Sequence, residues 1–594
     1  MTGYWKKLLR INLTSGKTDT EEIPEEIIAK YLGAKGIGAY YFIKGLKKGI
    51  DPFSPENRIV LATGPFQGTE ILSSGRFAVI TKSPLTGIFL DSYCGGMFGP
   101  GLKCCGFDLV IIEGKAEKPV YISITNGRVQ IKDATHLWGK TTAETEKIIK
   151  SVEGKDTKVV SIGAAGENRV LFSCLISDRR RAAGRGGAGA VFGAKNLKAV
   201  AVNGTLAIPV HDAKKIKELN QKAVQAVAQR RKDKAGFYLY GTSSVLEYSH
   251  RKDRLPVLNF QKGEWEYYEG LDGETIHREK KVKFNPCCPC PIACGGILTS
   301  QGKDRPEYET LAMLGANCGL KRYEAVVKAN ELCDFYGLDT ISTGNVIAFA
   351  MECSEKGIIK EKIKFGDETR LLSLIEEIAY RRGIGEQLGL GAKRLAGMWG
   401  DGSRDFAMHV KGLELPAWNA RGQLGQGLAY MTADIGGSHL RDGLTEHSPP
   451  DKPALGVVIE LVEAQNKSTA KDNYIICAFA LYTITHEMCL DYFKAATGLE
   501  INEEKIQGIG NRIFTLIRSF NCGEGIRRKD DSLPARAMNE PLPSGVAKGC
   551  TAFVSAEDKE RCLDKYYELR GWNENGIPKK ETLEELDIEA DRFP

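Results

Sequence analysis

Over its first two hundred residues the chain alternates short β-branched, apolar runs with Gly- and Pro-containing breaks, and 58–64, 76–82, 108–113, 120–125, 159–162 and 198–202 each read as a strand. From His211 onward the period lengthens: in 213–231, 323–336, 343–356 and 368–382 apolar positions recur every three or four residues, which lines one face of a helix. The pattern predicts an α+β chain, with a β-rich N-terminal domain (1–208) followed by two mainly helical domains (209–416 and 417–594). The helical domains divide at the loop around Leu415-Pro416-Ala417, between helices ending at Trp399 and helices beginning near Gly427. No internal repeat is visible, and only the charged stretch after Gly576 looks disordered.

A chain of 594 residues exceeds what one hydrophobic core organises and has ample interior to exclude water from a cofactor. Lys plus Arg (82) nearly balance Asp plus Glu (76), a net charge of +6 without a long run of one sign, which weighs against nucleic acid as a partner. The first residues lead into a strand without the apolar stretch of a signal peptide, and no segment approaches the roughly 18 to 20 apolar residues of a membrane span. A soluble, cytoplasmic protein with no membrane partner is expected.

Sixteen cysteines in such a chain are expected to be reduced, and clustered ones to hold metal. Cys287, Cys290 and Cys294 form Cys-x2-Cys-x3-Cys in a Pro-rich loop, with Cys288 outside the spacing. Three thiolates in a short loop suit three corners of a [4Fe–4S] cubane, the fourth ligand coming from elsewhere. Structural zinc is the plainer alternative, although no clean second Cys/His pair follows, and a thioredoxin-like pair would need a βαβ context.

Two glycine-rich elements carry arginine. Residues 179–193 join Arg179-Arg180-Arg181 to a dense glycine loop through Gly184-Arg185-Gly186-Gly187, a combination that suits phosphate oxygens. The loop lacks both the Gly-Lys-Ser/Thr of a P-loop and the acidic residue of a dinucleotide fingerprint, so a phosphate-bearing cofactor other than ATP or NAD fits better. A glycine-rich turn with solvated arginines is the alternative. The second element, Ser73-Ser74-Gly75-Arg76 followed by residues 91–100, says only that backbone packs tightly there.

Taken together, Gly-Arg-Phe-Ala-Val-Ile-Thr-Lys-Ser-Pro-Leu-Thr-Gly (75–87), Gly-Arg-Gly-Gly-x-Gly-Ala-Val (184–191) with Lys195-Asn196-Leu197-Lys198, the cysteine loop, Pro306-Glu307-Tyr308-Glu309-Thr310 and Cys333-Asp334-Phe335-Tyr336-Gly337-Leu338-Asp339-Thr340 resemble the tungsten-containing aldehyde ferredoxin oxidoreductase family over essentially the whole chain. The resemblance implies an N-terminal β domain as a base for two pyranopterins, two helical domains covering them, and a metal held by dithiolene sulfurs without a protein ligand. It implies that Asp334, Gly337, Leu338 and Asp339 bind one pterin, and Asp472 and Ile476 in Asp472-Asn473-Tyr474-Ile475-Ile476-Cys477 the other. Arg441 counts with them, and Cys477 is the fourth cluster ligand, with Cys489 and Cys522 as alternatives. Ile475-Ile476 depart from the family's Gly-Leu at that point.

Arg76 resembles the arginine between cluster and pterin. Tyr93, Gly95, Gly96, Arg181, Ala183, Gly184 and Arg185 resemble the loops around the pterin phosphates and their Mg2+, with Tyr93 replacing the usual Asn and tolerable where only its carbonyl is used. Glu309 and His439 resemble the pair beside the metal; taken alone, they would read as a surface glutamate and a satisfied helix histidine. Lys328-Ala329-Asn330-Glu331 stands where some members carry Glu-x-x-His, so any homodimer is expected to lack a bridging metal.

The function implied is oxidation of a small aldehyde at a tungsten or molybdenum centre, with electrons passing through the cluster to ferredoxin or to a dedicated iron–sulfur subunit. Two alternatives are the catalytic subunit of an aromatic-ring (benzoyl-CoA type) reductase from the same family, and a [4Fe–4S] electron-transfer or scaffold protein without pterin.

Overall fold

Alternate residues of the N-terminal strands face two different cores, and this parity builds the molecule. The computed structural model describes residues 1–441 and 448–589. Within them, β1 (Lys7–Asn12), β2 (Thr18–Glu22), β3 (Ile59–Ala62), β4 (Phe77–Lys82), β5 (Phe89–Cys94) and β6 (Leu109–Glu113) form one mixed sheet in the order β2-β1-β6-β3-β4-β5. β7 (Val120–Thr125), β8 (Arg128–Asp133), β9 (Lys158–Ser161), β10 (Leu175–Ser177), β11 (Arg181–Ala183) and β12 (Leu197–Val202) form a second, in the order β11-β10-β9-β12-β7-β8. Each sheet holds one parallel pair, β1 with β6 and β7 with β12, among antiparallel neighbours.

Ile59 and Leu61 of β3 join Val110 and Ile112 of β6 and Ile122 and Val200 of the second sheet in a core between the two sheets. Val60 and Ala62, one residue out of phase, join a larger core shared with the helices. A sheet covered on both faces needs continuous apolar strands, as β3 (IVLA) and β6 (LVIIE) are. Each fully buried Ile or Val contributes about 1.5–3 kcal/mol. All six strands and all four helices expected from the periodicity are present, the helices as Ala213–Lys232, Tyr323–Tyr336, Thr340–Glu355 and Glu368–Tyr380.

After residue 208 the chain is largely helical, interrupted by two small sheets. One of them, β13 (Val282–Phe284), β14 (Gly296–Leu298) and β15 (Lys303–Asp304), turns the cysteine segment into a hairpin loop that Asn285 N–H closes on Gly295 O at 2.8 Å. The long helix Val458–Tyr474 ends against the N-terminal domain: Asn473 Oδ1 accepts from Gly36 N–H at 2.7 Å, and Gln67 Nε2 donates to the carbonyls of Tyr474 and Ile475, each at 3.1 Å. A side chain on Gly33 or Gly64 would collide with Asn473 O, so glycine there sets how closely the helix end approaches.

The segment after Gly576 is packed, contrary to the disorder its charge suggested. A helix spans Lys580–Glu585, Leu583 and Ile588 are buried, and Arg512 Nε donates to Leu586 O at 2.7 Å. Two apolar residues with a guanidinium anchor outweigh the charged composition. The last five residues, 590–594, lie outside the described residues.

Candidate functional site

The hairpin between β13 and β14 presents Cys287, Cys290 and Cys294, and Cys477 is carried to it by the turn that ends helix Val458–Tyr474. Two hydrogen bonds weave these loops together: Ser73 N–H donates to Pro289 O, and Cys477 N–H to Ser73 O at 3.0 Å. Ser73 Oγ stands 3.5 Å from Cys290 Sγ, and Arg76 Nη1 3.7 Å from Cys477 Sγ. Burial pushes the thiols of Cys287 and Cys294 up, neighbouring thiols including Cys477 add to this, and Arg181 opposes it. The alternatives stand elsewhere: Cys522 Sγ faces Gly576 O at 3.6 Å near Arg518, and Cys489 is buried beside Tyr474.

Burial works against the charge of Arg76, but Cys477, Cys287, Cys94 and Asp472 more than offset it and keep it cationic. Arg181, likewise held cationic by Cys287 and Glu307 against burial, donates to Asn285 O at 2.9 Å. A Cβ on Gly95 would stand 3.0 Å from Cys287 Sγ, and one on Gly75 would collide with Cys288 O. Among the described residues no three His, Cys, Asp or Glu side chains are arranged to hold a single metal ion. Four thiols around a space flanked by two fixed cations fit a larger, anionic sulfur-ligated group better than a lone ion.

Ile475 caps the helix at φ 49°, ψ 55°, a left-handed conformation that is strained for a β-branched residue. The glycine expected from the resemblance would be unstrained here. Ile475 and Ile476 are buried, and the Gln67 amide holds the carbonyl of Ile475.

Two polar regions flank the interior beyond the cysteines. In the first, Gly337 ends helix Tyr323–Tyr336 at φ 72°, Leu338 bridges Ser173, and Asp339 starts the next helix by accepting from Ile341 and Ser342 N–H at 3.0 and 3.2 Å. Arg185 Nε lies 3.1 Å from the Asp339 carboxylate without a properly directed hydrogen bond. Asp334 has one side-chain donor, Asn330 Nδ2 at 3.1 Å, and burial raises its pKa well above the usual range, with Asp304 adding to this. Asp339 is thus largely occupied in starting a helix, whereas Asp334 keeps acceptor capacity. Arg181 and Ala183 lie on β11 and Gly184 follows; the chain continues beside β5, where Arg185 N–H meets Ser92 Oγ at 3.3 Å.

The second region is an ion network of which sequence reasoning named Arg441 and Asp472, for a pterin, and missed the pairing with Lys35, Asp91 and Asp434. Lys35 Nζ lies 3.0 Å from Asp91 and 2.5 Å from Asp434; Arg441 reaches Asp91 at 2.5 Å, Asp434 at 3.0 Å and Asp472 at 3.2 Å. Burial opposes ionisation of Asp434, but Lys35 and Arg441 hold it well below the ordinary carboxylate range. Tyr93 donates its hydroxyl to Asp91 at 2.6 Å, while its carbonyl faces Arg76 at 3.4 Å. Gly96 adopts φ 105°, with no room for a side chain beside Asp178. The available signal was Lys35 itself, a lone lysine in the otherwise apolar helix Ala34–Ile43.

Glu309 and His439 stand between these regions. His439 Nε2 is 3.4 Å from Glu309 Oε1, and their side chains are 22% and 20% exposed. Glu309 Oε1 and His439 Nδ1 have no hydrogen-bond partner. Burial, with Asp339 adding, pushes Glu309 up to about 7, against Ala417 N–H at 2.8 Å, Arg185 and Trp418. Burial also lowers His439 to about 3, helped by Arg185 from one region and Arg441 from the other. Side chains that keep a fifth of their surface and are nevertheless so strongly desolvated face an internal space. A π-helical turn, Leu311–Gly315, directly follows this segment, a widened backbone found chiefly at functional positions. One family motif, Lys195-Asn196-Leu197-Lys198, has structural work instead: buried Lys195 donates to Pro55 O and Gly114 O, and Lys198 pairs with Glu167.

Comparison with known proteins matches the whole architecture. The model of the aldehyde ferredoxin oxidoreductase N-terminal domain covers residues 8–204, and that of domains 2 and 3 covers 218–588. The tungsten-containing aldehyde ferredoxin oxidoreductase of Pyrococcus furiosus is 39% identical, with 99% of each chain covered. The WOR-like subunit of an aliphatic sulfonate oxidoreductase from the same organism is 33% identical, over 99% of this chain and 97% of the relative. The BamBC active-site complex of benzoyl coenzyme A reductase, solved with 1,5-dienoyl-CoA, superposes with a TM-score of 0.84 at 26% identity, covering 99% and 97% of the two chains. With both family models and a full-length relative agreeing, this chain belongs to the aldehyde ferredoxin oxidoreductase family of oxidoreductases.

Proposed function

We propose that this chain oxidises an aldehyde to its carboxylic acid, RCHO + H2O → RCOO⁻ + 3H⁺ + 2e⁻, and passes the electrons to a ferredoxin-type carrier. The observation that carries this reading is the Glu309–His439 pair, where two desolvated side chains 3.4 Å apart each keep one polar atom unpartnered. Buried polar atoms without partners call for a ligand or water. A glutamate poised near 7 is matched to proton transfer at neutral pH, and a histidine that stays neutral can donate one N–H to a carbonyl oxygen. Glu309 takes the proton from water or from an aldehyde hydrate, and His439 holds the oxygen that gathers charge.

The chemistry beyond proton transfer, a two-electron oxidation followed by single-electron steps, would be supplied by a tungsten or molybdenum bis-pyranopterin and a [4Fe–4S] cluster. Cys287, Cys290, Cys294 and Cys477 would hold the cluster. Asp334, with Gly337, Leu338, Asp339, Arg185 and Gly184, would hold one pterin; Arg76, Arg441, Asp472 and Ile476 the other. The main chain of Tyr93, Gly95, Gly96, Arg181 and Ala183 would face their phosphates and Mg2+. The 39% identity to the tungsten enzyme over nearly the full chain supports an aldehyde over a sulfonate or a ring thioester.

The test is aldehyde-dependent reduction of benzyl viologen by protein purified without oxygen, for wild type and Glu309→Gln, with tungsten, molybdenum and iron measured in both. Activity lost in the variant at unchanged metal content supports the assignment. Wild-type protein that carries metal and pterin yet oxidises no aldehyde would overturn it.

A further inference from the structure

An exposed aromatic patch lies between the cysteine loop and solvent. Phe284, three residues before Cys287, is 41% exposed; Leu481 and Tyr482, in the 3-10 turn Ala478–Tyr482 that follows Cys477, are 41% and 57% exposed. Single exposed apolar residues are ordinary, but these are joined. Phe237 packs on Phe479 and Tyr482 with ring centroids 5.1 and 5.8 Å apart. Arg231 stands 5.2 Å over the Phe284 ring, donates to Pro291 O and Ile292 O at 3.1 Å each, and reaches the carbonyl of Tyr238, next to Phe237, at 3.4 Å. Arg231 therefore links Phe284, the cysteine loop and the segment that carries Phe237.

The charge around it is one-sided. Residues 229–234 and 278–284 carry eight Lys or Arg against two acids, a formal excess equal to the +6 of the entire chain. Arg230, Lys232, Lys234, Arg278, Lys281 and Lys283 are exposed.

We propose that this patch is the docking face for a small acidic protein carrying a one-electron iron–sulfur centre. The inference rests on the oxidation proposed above, whose two electrons leave in two encounters, each reducing one carrier by one electron while the protons pass to solvent. The lysine rim steers an acidic partner and the aromatic centre gives it a dry contact, so association weakens as salt rises. A second copy of this chain would bring the same positive rim and be repelled.

The test uses the metal-loaded enzyme and an acidic ferredoxin as probe, comparing wild type with the double variant Lys281→Glu, Lys283→Glu and with Tyr482→Ser. Three readouts are taken: ferredoxin affinity by calorimetry at low and high salt, sites of carbodiimide cross-linking by mass spectrometry, and aldehyde oxidation with benzyl viologen or ferredoxin as acceptor. The charge reversals should weaken ferredoxin binding roughly tenfold and raise its KM in step, with viologen turnover unchanged. Wild-type cross-links should map to Lys232, Lys281 or Lys283. Variants that bind ferredoxin as wild type does, or cross-links mapping elsewhere, would overturn the docking face. A wild type that reduces viologen with no aldehyde would sink the functional reading instead, while affinity and cross-links would still judge the surface.

Discussion

The two polar regions flanking Glu309 and His439 are built from the same side chains and solve opposite problems. Around Lys35 and Arg441, three buried aspartates meet two cations at 2.5–3.2 Å, and Asp434 is held strongly ionised. Around Asp334 and Arg185, a half-buried carboxylate has one amide donor and is pushed toward its neutral form, and the arginine Nε is left without a directed acceptor. The Lys35–Arg441 network matches its charges within the protein, through residues from distant parts of the chain, so a pterin held there by Arg441 and Asp472 would meet side chains already paired. The Asp334–Arg185 region leaves polar atoms unpaired, and unpaired polar atoms call for a ligand or water.

The sharpest break of this contrast is at Glu309, between the two regions. Glu309→Gln should cut kcat by about 10²–10⁴-fold with the fold intact, measured by steady-state turnover beside a melting curve; wild-type turnover would remove the residue from the chemistry. Lys35→Met should leave Asp91 and Asp434 with Arg441 as their one remaining cation and cost about 3–5 kcal/mol of stability, read from chemical denaturation. An unchanged midpoint would mean the closed network is dispensable. Asp334→Asn should change stability by no more than about 1 kcal/mol, because it removes a charge the site disfavours, yet purified protein should retain less pterin and tungsten or molybdenum. Full cofactor content would erase the distinction between the regions.

The smallest effect is a pH dependence. Glu309 acts as a base only when ionised, so kcat/KM should rise with pH to a plateau above about 7, and the Gln variant should lack that limb. His439, lowered to about 3, stays neutral across the range and adds no limb. The stability sign is opposite: a carboxyl raised from its ordinary 4.5 binds its proton more tightly when folded, so its contribution to stability is lost as pH rises from about 4.5 to about 7. A profile flat through 7 in the wild type would refute the assignment of Glu309 as base.

Local pattern made much of this legible. The strands showed in β-branched runs, the helices in their 3.6-residue period, and the cysteine hairpin in its own spacing, since each is specified by residues adjacent in sequence. The ion network was not legible, because Lys35 and Asp434 are 399 residues apart and each alone is one charge in an apolar stretch. Asp334 and Asp339 looked equivalent, yet one lies half-buried on the last turn of a helix and the other starts the next helix, the two separated by the backbone turn at Gly337. Charge misled at the C-terminal segment, where two buried apolar residues decide the packing.

The separation of Lys35 from Asp434 also sets a timetable. A nascent chain growing at about 5–20 residues per second places the lysine roughly 20–80 seconds before Asp434, the later of its two aspartates. Through that interval Lys35 has Asp91, 56 residues on, as its counter-charge, and the second carboxylate is missing. The N-terminal part therefore carries half of the charge matching itself, and the network closes only when Asp434 and Arg441 of the helical part have been made.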